Sequence, residues 1–317
     1  MNDIVKVTSG KDLLKSFSEQ KQARQIFGRY IHEGELCVLF GDSNAGKSIL
    51  ANDIAFFVSG GGHGWEGMES PHIPSLYIDM EMSGAQFARR YASAVDYMPD
   101  TYSRAEINTN STDDRWNHIR SKIILMQGQP NPPKFIVIDN ITNGFGSIFS
   151  AKRMTTLITE IKNLKERFKL TVLLIAHCPK RNKKKPISDN DLGGSKMILN
   201  FVDSAFAVGT SLQGDNVRYI KQVKCRECSK DEDVMTVRIK DAPFLSMQYV
   251  DKTDEESHIS ENANDYRYYD IPQDKEIRLN EMLVEERYHV DIAEELGLPR
   301  DLVTWYYLRH YCTPKED

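Results

Sequence analysis

Between residue 35 and about residue 250, short apolar runs alternate with stretches in which apolar residues return every three or four positions. An apolar run too short for a helix and bounded by turn residues predicts a strand buried on both faces. Such runs fall at 36–40, 76–79, 135–139, 171–176 and 205–208. Between the strands at 135–139 and 171–176, Met154, Leu157, Ile158, Ile161, Leu164 and Phe168 lie three or four apart, which predicts one face of an amphipathic helix. Strands alternating with helices predict an α/β fold with a mostly parallel central sheet and crossover helices. The pattern then changes. Residues 217–224, 234–239 and 246–250 read as extended segments separated by polar turns, an antiparallel extension of the sheet.

The flanks differ from this core region, 29–250. Leu13, Leu14 and Phe17 give residues 10–24 a helical pattern, read as part of an N-terminal arm, 1–28. Residues 251–273, with Asp254, Glu255, Glu256, Ser257 and Ser260, are polar and acidic enough to predict a linker. In 274–317 a turn at Gly297 separates two helical stretches around Ile292, Ala293, Val303 and Tyr306, the pattern of a small all-helical helix-turn-helix domain. Its presumed second helix offers Arg300, Thr304, Tyr307 and Arg309 to a DNA groove, whereas carboxylates such as Glu294 and Glu295 oppose phosphate contacts. A DNA partner and a protein partner for this domain both remain open.

Composition narrows the class. With 317 residues, 40% of them hydrophobic and 27% charged, the chain can bury one large core and carry a small appendage. No apolar run approaches the roughly 20 residues a membrane span needs, and the first residues lack the apolar core of a secretory signal, so a cytoplasmic protein is expected. The net charge of −5 is unevenly spread, because acidic residues gather after Asp251 and leave the rest mildly basic. Five scattered cysteines predict reduced thiols, and the lone Cys225-x-x-Cys228 pair lacks the further ligands a zinc site needs.

The chemistry concentrates in one loop. Gly41, Asp42, Ser43, Asn44, Ala45, Gly46, Lys47 and Ser48 fit GxxxxGK[ST], follow a predicted strand and open a helical pattern at Ile49. Glycines let the backbone wrap a phosphate chain, successive N–H groups make an anion nest, and the helix aims its positive end at the same charge. Lys47 is placed for the β- and γ-phosphates of ATP and Ser48 for Mg²⁺. A second Mg²⁺ ligand belongs at the end of a buried strand, and the run Phe135-Ile136-Val137-Ile138 delivers Asp139 there. A group to orient the attacking water is sought after the strand at 76–79; Glu81 is favoured, although Asp79 shares its strand parity.

The run Asp79-Met80-Glu81-Met82-Ser83, with Arg89 and Arg90 following, resembles the Glu-Met element of DnaB-type helicases. With the phosphate loop and the Asp139 strand, the chain resembles the RecA-like P-loop ATPase superfamily, and within it the RepA-like hexameric helicases and AAA_25-type ATPases. That resemblance covers roughly residues 28–250. It implies that Glu81 activates water, that His177, at the end of the 171–176 strand, senses the γ-phosphate, and that Lys224 and Arg226 reach the ATP site of a neighbouring subunit. It therefore implies a homo-oligomer, a hexameric ring as in the RepA-like ATPases. In such rings the loops after the Asp139 and His177 strands line the channel. Here they are residues 143–153 and a basic loop with Lys180, Arg181, Lys183, Lys184 and Lys185, which suits single-stranded DNA without sequence preference. The implied function is an ATPase acting on DNA, a RepA-like helicase or a helicase-related replication or mobile-element factor; a regulatory or recombination ATPase without unwinding activity and an ATP-switched scaffold using the C-terminal helices are the alternatives.

Overall fold

The computed structural model describes residues 7–17, 23–62, 64–65, 67–107, 115–141, 151–260 and 271–312. A first helix, α1 (Gly10–Phe17), precedes a two-stranded ribbon of β1 (Gln25–Phe27) and β2 (Ile31–His32). The main sheet then forms from β3 (Leu36–Gly41), β4 (Ser75–Asp79), β5 (Tyr102–Glu106), β6 (Phe135–Asp139), β7 (Thr171–His177), β8 (Ser204–Thr210), β9 (Val217–Lys224), β10 (Val234–Lys240) and β11 (Ser246–Thr253). Its order is β11-β10-β9-β8-β3-β7-β6-β4-β5, with β8 to β5 in that order mutually parallel and β9, β10 and β11 antiparallel. The predicted parallel sheet with its antiparallel extension is what the chain builds.

Crossover helices explain the apolar runs. Along β3, Leu36, Val38 and Phe40 face one core, while Cys37 and Leu39 face the other. The first core includes Ile119 and Ile123 of α4 (Arg115–Met126) and Ile158 and Ile161 of α5 (Ala151–Phe168). The second includes Leu50, Ile54 and Phe56 of α2 (Lys47–Val58) and Tyr91 of α3 (Gly84–Tyr91). A strand covered on both faces has no polar side to alternate with, so its sequence reads as continuous apolar residues.

Two expectations need correction, and one strand carries no signal in the sequence. The acidic stretch from 251 is not a linker at its start: Asp251 lies in β11, and the short helix α7 (Glu256–Ile259) buries His258 and Ile259. Its carboxylates are consumed by distant cations, Asp251 by Arg300 and Glu255 by Lys221, so polarity there does not mean exposure. The N-terminal arm ends sooner than expected, because Ile26 and Phe27 are packed into the second core. The edge strand β5 was not predicted; its sequence YSRAE buries only Tyr102 fully, which leaves no apolar run to see. At the C-terminus, where the pattern predicts two helical stretches, three helices form: α8 (Gln273–Val284), α9 (His289–Leu296) and α10 (Arg300–Tyr311). Gly297, at φ 57°, ends α9, and Leu298 N–H turns back to the Ala293 carbonyl at 3.0 Å. These helices share a third apolar cluster with Val217 and Val250 of the sheet.

Candidate active site

Parallel strands release their loops at their carboxyl ends, so the ends of β3, β4, β6 and β7 come together. The loop after β3 turns through Asn44 at φ 63° and Gly46 at φ 97° into α2. A side chain at Gly41 would put its Cβ 2.5 Å from the Val208 carbonyl oxygen, so β3 and β8 approach closely only because residue 41 has none. Gly46 caps α2 without a side-chain bond, which leaves the first turn of the helix facing the loop. Lys47 is buried, and its Nζ donates to the carbonyls of Gly41 at 3.0 Å and Asp42 at 2.8 Å. Burial lowers its pKa, against the opposing pull of Cys178, Asp139, Glu81 and Asp42. From β9, Arg218 braces the loop through a 3.0 Å bond to the Ala45 carbonyl. Ser43 and Asn44 are exposed at the loop tip, and Ser48 and Ile49 begin the helix half-buried.

Asp139 ends β6 and is 1% exposed. The Tyr77 hydroxyl donates to its Oδ2 at 2.6 Å, the Ser48 hydroxyl interacts with the carboxyl, and Oδ1 accepts no formed hydrogen bond among the described residues. Burial pushes the carboxyl up to about 6, tempered by Ser48 and Tyr77 and reinforced by the charges of Glu81 and Asp79. A desolvated carboxylate oxygen beside a serine hydroxyl at the mouth of a phosphate loop fits a hard divalent cation such as Mg²⁺. Ser48 and Asp139 would hold it, and it would supply charge neutralisation to a bound phosphate chain.

Register separates the two carboxylates that sequence parity left equivalent. Asp79 is 1% exposed and already engaged: Oδ2 takes Arg104 Nε at 3.1 Å and Nη2 at 2.8 Å, while Oδ1 caps the N–H groups of Glu81 and Met82. Glu81 instead projects toward the ends of the neighbouring strands. Its Oε1 meets His177 Nε2 at 3.2 Å and the side-chain amide of Asn140. The His177 hydrogen bond holds the Glu81 carboxyl below its ordinary range despite partial burial, so it is ionised at neutral pH. Lys47, Glu81, Asp139 and His177 are thus brought to one end of the sheet. Tyr77, Asn140, Arg104 and Arg218 belong to the same assembly and were missed by sequence reasoning. Asn140 directly follows Asp139, and Tyr77 precedes Asp79 by two, which are the signals that mark them.

Lys224 and Arg226 lie elsewhere. Lys224 pairs with Ala205 near the start of β8, the end of the sheet opposite the phosphate loop. Its Nζ caps α6 (Lys196–Phe201) through the carbonyl of Leu199 at 2.6 Å and the adjacent Val202 carbonyl at 2.8 Å. Arg226 donates to Asp203 at 2.6 Å, with 60% of its side chain exposed. The expectation of five reduced thiols does not hold. Cys225 and Cys228 are joined in a disulfide, because the turn after β9 brings their Cα atoms to 5.6 Å. Cys37, Cys178 and Cys312 are free and buried.

Of the basic loop, Lys180, Lys183, Lys184 and Lys185 are exposed. Arg181 departs from the expected outward-facing set: its guanidinium bonds the Tyr219 hydroxyl at 2.9 Å and the Lys185 carbonyl at 2.7 Å, and lies 3.7 Å from Asp42. Residues 142–150, which include most of the other expected channel loop, lie outside the described residues. Half of the groove-reading face expected on α10 is turned inward, whereas Arg309 stays exposed and Arg300 half-buried. Thr304 and Tyr307 are buried, and Arg300 and Thr304 both bond Asp251, so the helix spends these residues on the sheet. No described helix is long and apolar enough to cross a membrane.

The profile of a family described as an AAA domain, AAA_25, matches residues 7–183. Among solved structures, the chain is similar to a KaiC-like protein, PH0186, from the hyperthermophilic archaeon Pyrococcus horikoshii OT3. The TM-score is 0.51 at 14% identity, over 71% of this chain and 99% of that one. At such low identity the likeness speaks for the fold alone, which is RecA-like. No curated protein matches the chain. Since the family match spans more than half of the 317 residues and contains the phosphate loop, Glu81 and Asp139, the chain belongs to the AAA-domain family of P-loop ATPases.

Proposed function

We propose that the chain is one subunit of a ring-forming, RepA-like ATPase that couples ATP hydrolysis to movement along single-stranded DNA. The observation that carries this reading is the continuity of β7 with the basic loop. His177 touches Glu81, and three residues later the chain reaches Lys180 and then Lys183, Lys184 and Lys185. A polyanion held by those lysines would pull on the same strand end that contacts the carboxylate, and the reverse coupling follows by linkage.

In this reading Lys47 binds the β- and γ-phosphates, and Glu81 takes a proton from the attacking water as its oxygen adds to the γ-phosphorus and ADP leaves with the bridging oxygen. His177 reports the loss of the γ-phosphate. Lys224 and Arg226 stand too far from their own loop to help it. Their place at the opposite sheet end suits a role in trans, in which each exchanges its internal partner for a neighbour's phosphates.

A regulatory ATPase that unwinds nothing is the second reading. It is favoured by the internal commitments of Lys224 and Arg226 and by the inward face of α10. Strand displacement measured with Mg-ATP on a forked duplex separates the two. Displacement, with hydrolysis stimulated by single strands, is the expected result. Hydrolysis that ignores DNA and displaces nothing overturns the helicase reading in favour of the regulator.

A further inference from the structure

Where the helical trio meets the sheet edge, a cleft of about 330 Å³ opens between β10, β11, the α8–α9 turn and α10. That volume lies in the range of small-ligand sites. Its floor holds Arg238, whose guanidinium lies 5.1 Å over the Tyr307 ring. Arg238 Nη2 donates to Gln248 at 3.0 Å, and the guanidinium also interacts with the Cys312 thiol and attracts the Glu286 carboxylate, but its Nε is buried without a hydrogen-bond partner. The guanidinium is half-buried and keeps one donor unused, so it can still take an anion from the cleft.

One further feature directs positive potential at the same place: α9 starts there with Tyr288 as an N-cap whose side chain makes no capping bond, while Arg287 in the cleft wall is already paired with Glu295 at 2.7 Å. The one carboxylate at the rim is already neutralised: Glu286, at φ 57°, bonds Lys240 and Gln248. The remaining wall is aromatic. Tyr249 and Tyr288 meet edge to face at 6.3 Å, and Tyr288 is 46% exposed at the mouth. Tyr307 and Tyr311 stack beneath. An anion-seeking arginine beside tyrosine rings suits a ligand that has both a phosphate and a flat ring.

We propose that this cleft is a second nucleotide-binding site, separate from the phosphate loop, which takes a nucleoside monophosphate unit with its phosphate on Arg238 and its base against Tyr288. The unit is either a free nucleotide or the 5′-phosphorylated end of a strand, and the site is independent of the ATPase reading.

Full-length chain carrying Lys47→Ala, which disables the phosphate loop, is titrated by calorimetry with AMP and separately with a 5′-phosphorylated oligodeoxynucleotide. One-to-one binding of at least one of them is expected, weakened about tenfold or more by Arg238→Gln and by Tyr288→Ala. Tyr288 is at the rim, so its truncation keeps the site testable should Arg238→Gln unfold the trio. AMP alone binding identifies the free nucleotide as the source; only the oligonucleotide binding identifies the strand end. Absence of both, or binding that neither substitution weakens, overturns the site, whatever the outcome for hydrolysis or unwinding in the Lys47 chain.

Discussion

Replacing Asp139 by Asn should make the nucleotide-free protein more stable while abolishing its turnover. Asn keeps the shape and an acceptor for the Tyr77 hydroxyl, but removes a buried charge. The folded chain holds the Asp139 proton up to about pH 6, whereas the ordinary carboxyl releases it near 3.8. The folded state therefore binds the extra proton between those values, and wild-type stability falls as pH rises through that window. A displacement of this size corresponds to about 3 kcal/mol, as an order of magnitude. The advantage of D139N should be close to that figure at pH 8 and well under about 1 kcal/mol at pH 4. Urea unfolding of both chains in EDTA, without nucleotide, measures it directly. Adding Mg²⁺ with a nucleotide should then stabilise the wild type and leave D139N nearly unmoved. A D139N chain no more stable than wild type at pH 8, or one equally favoured at both pH values, would refute the assignment of Asp139 as a desolvated cation ligand.

Glu81→Gln should lower kcat by about 10²-fold or more while leaving ATP affinity intact, read by steady-state hydrolysis and equilibrium binding; unchanged turnover would shift the role to another group. Arg226→Ala should reduce hydrolysis by about 10³-fold with little change in nucleotide affinity. Mixed with Glu81→Gln subunits, it should recover partial activity, since one subunit then supplies the finger and the other the base; no recovery at any mixing ratio argues against action in trans. Changing Lys180, Lys183, Lys184 and Lys185 together to Ser should flatten the salt dependence of single-strand binding, by about 0.7 in the log-log slope for every lysine that had neutralised a phosphate. An unchanged slope removes the loop from the DNA path.

The phosphate loop was fully legible because its chemistry is encoded locally: glycines at 41 and 46 set the backbone, and Lys47 and Ser48 follow at fixed offsets. Buried parallel strands were legible for a related reason, since cover on both faces demands unbroken apolar runs. What escaped depends on register or distance. Parity could not choose between Asp79 and Glu81, because only the placement of Arg104 on β5 shows Asp79 to be engaged. Asn140 and Tyr77 matter through contacts across strands that local patterns do not contain. The helical spacing of α10 announced a helix but not which face it would bury, and Thr304 and Tyr307 went inward. The acidic tail misled because Arg300 and Lys221, its neutralising partners, are far away in sequence.

The cluster that Val217 and Val250 share with α8, α9 and α10 also bears on how this sheet stays solitary. A nine-stranded sheet has two borders where unpaired backbone groups can recruit another chain. At one border β5 is short and carries Arg104 and Glu106, charges that discourage a flat partner strand. At the other, β11 is eight residues long, and α9 and α10 pack against it. The helical trio thus works as a guard on the longer border, and a chain cut before α8 would expose both an apolar patch and an open strand template.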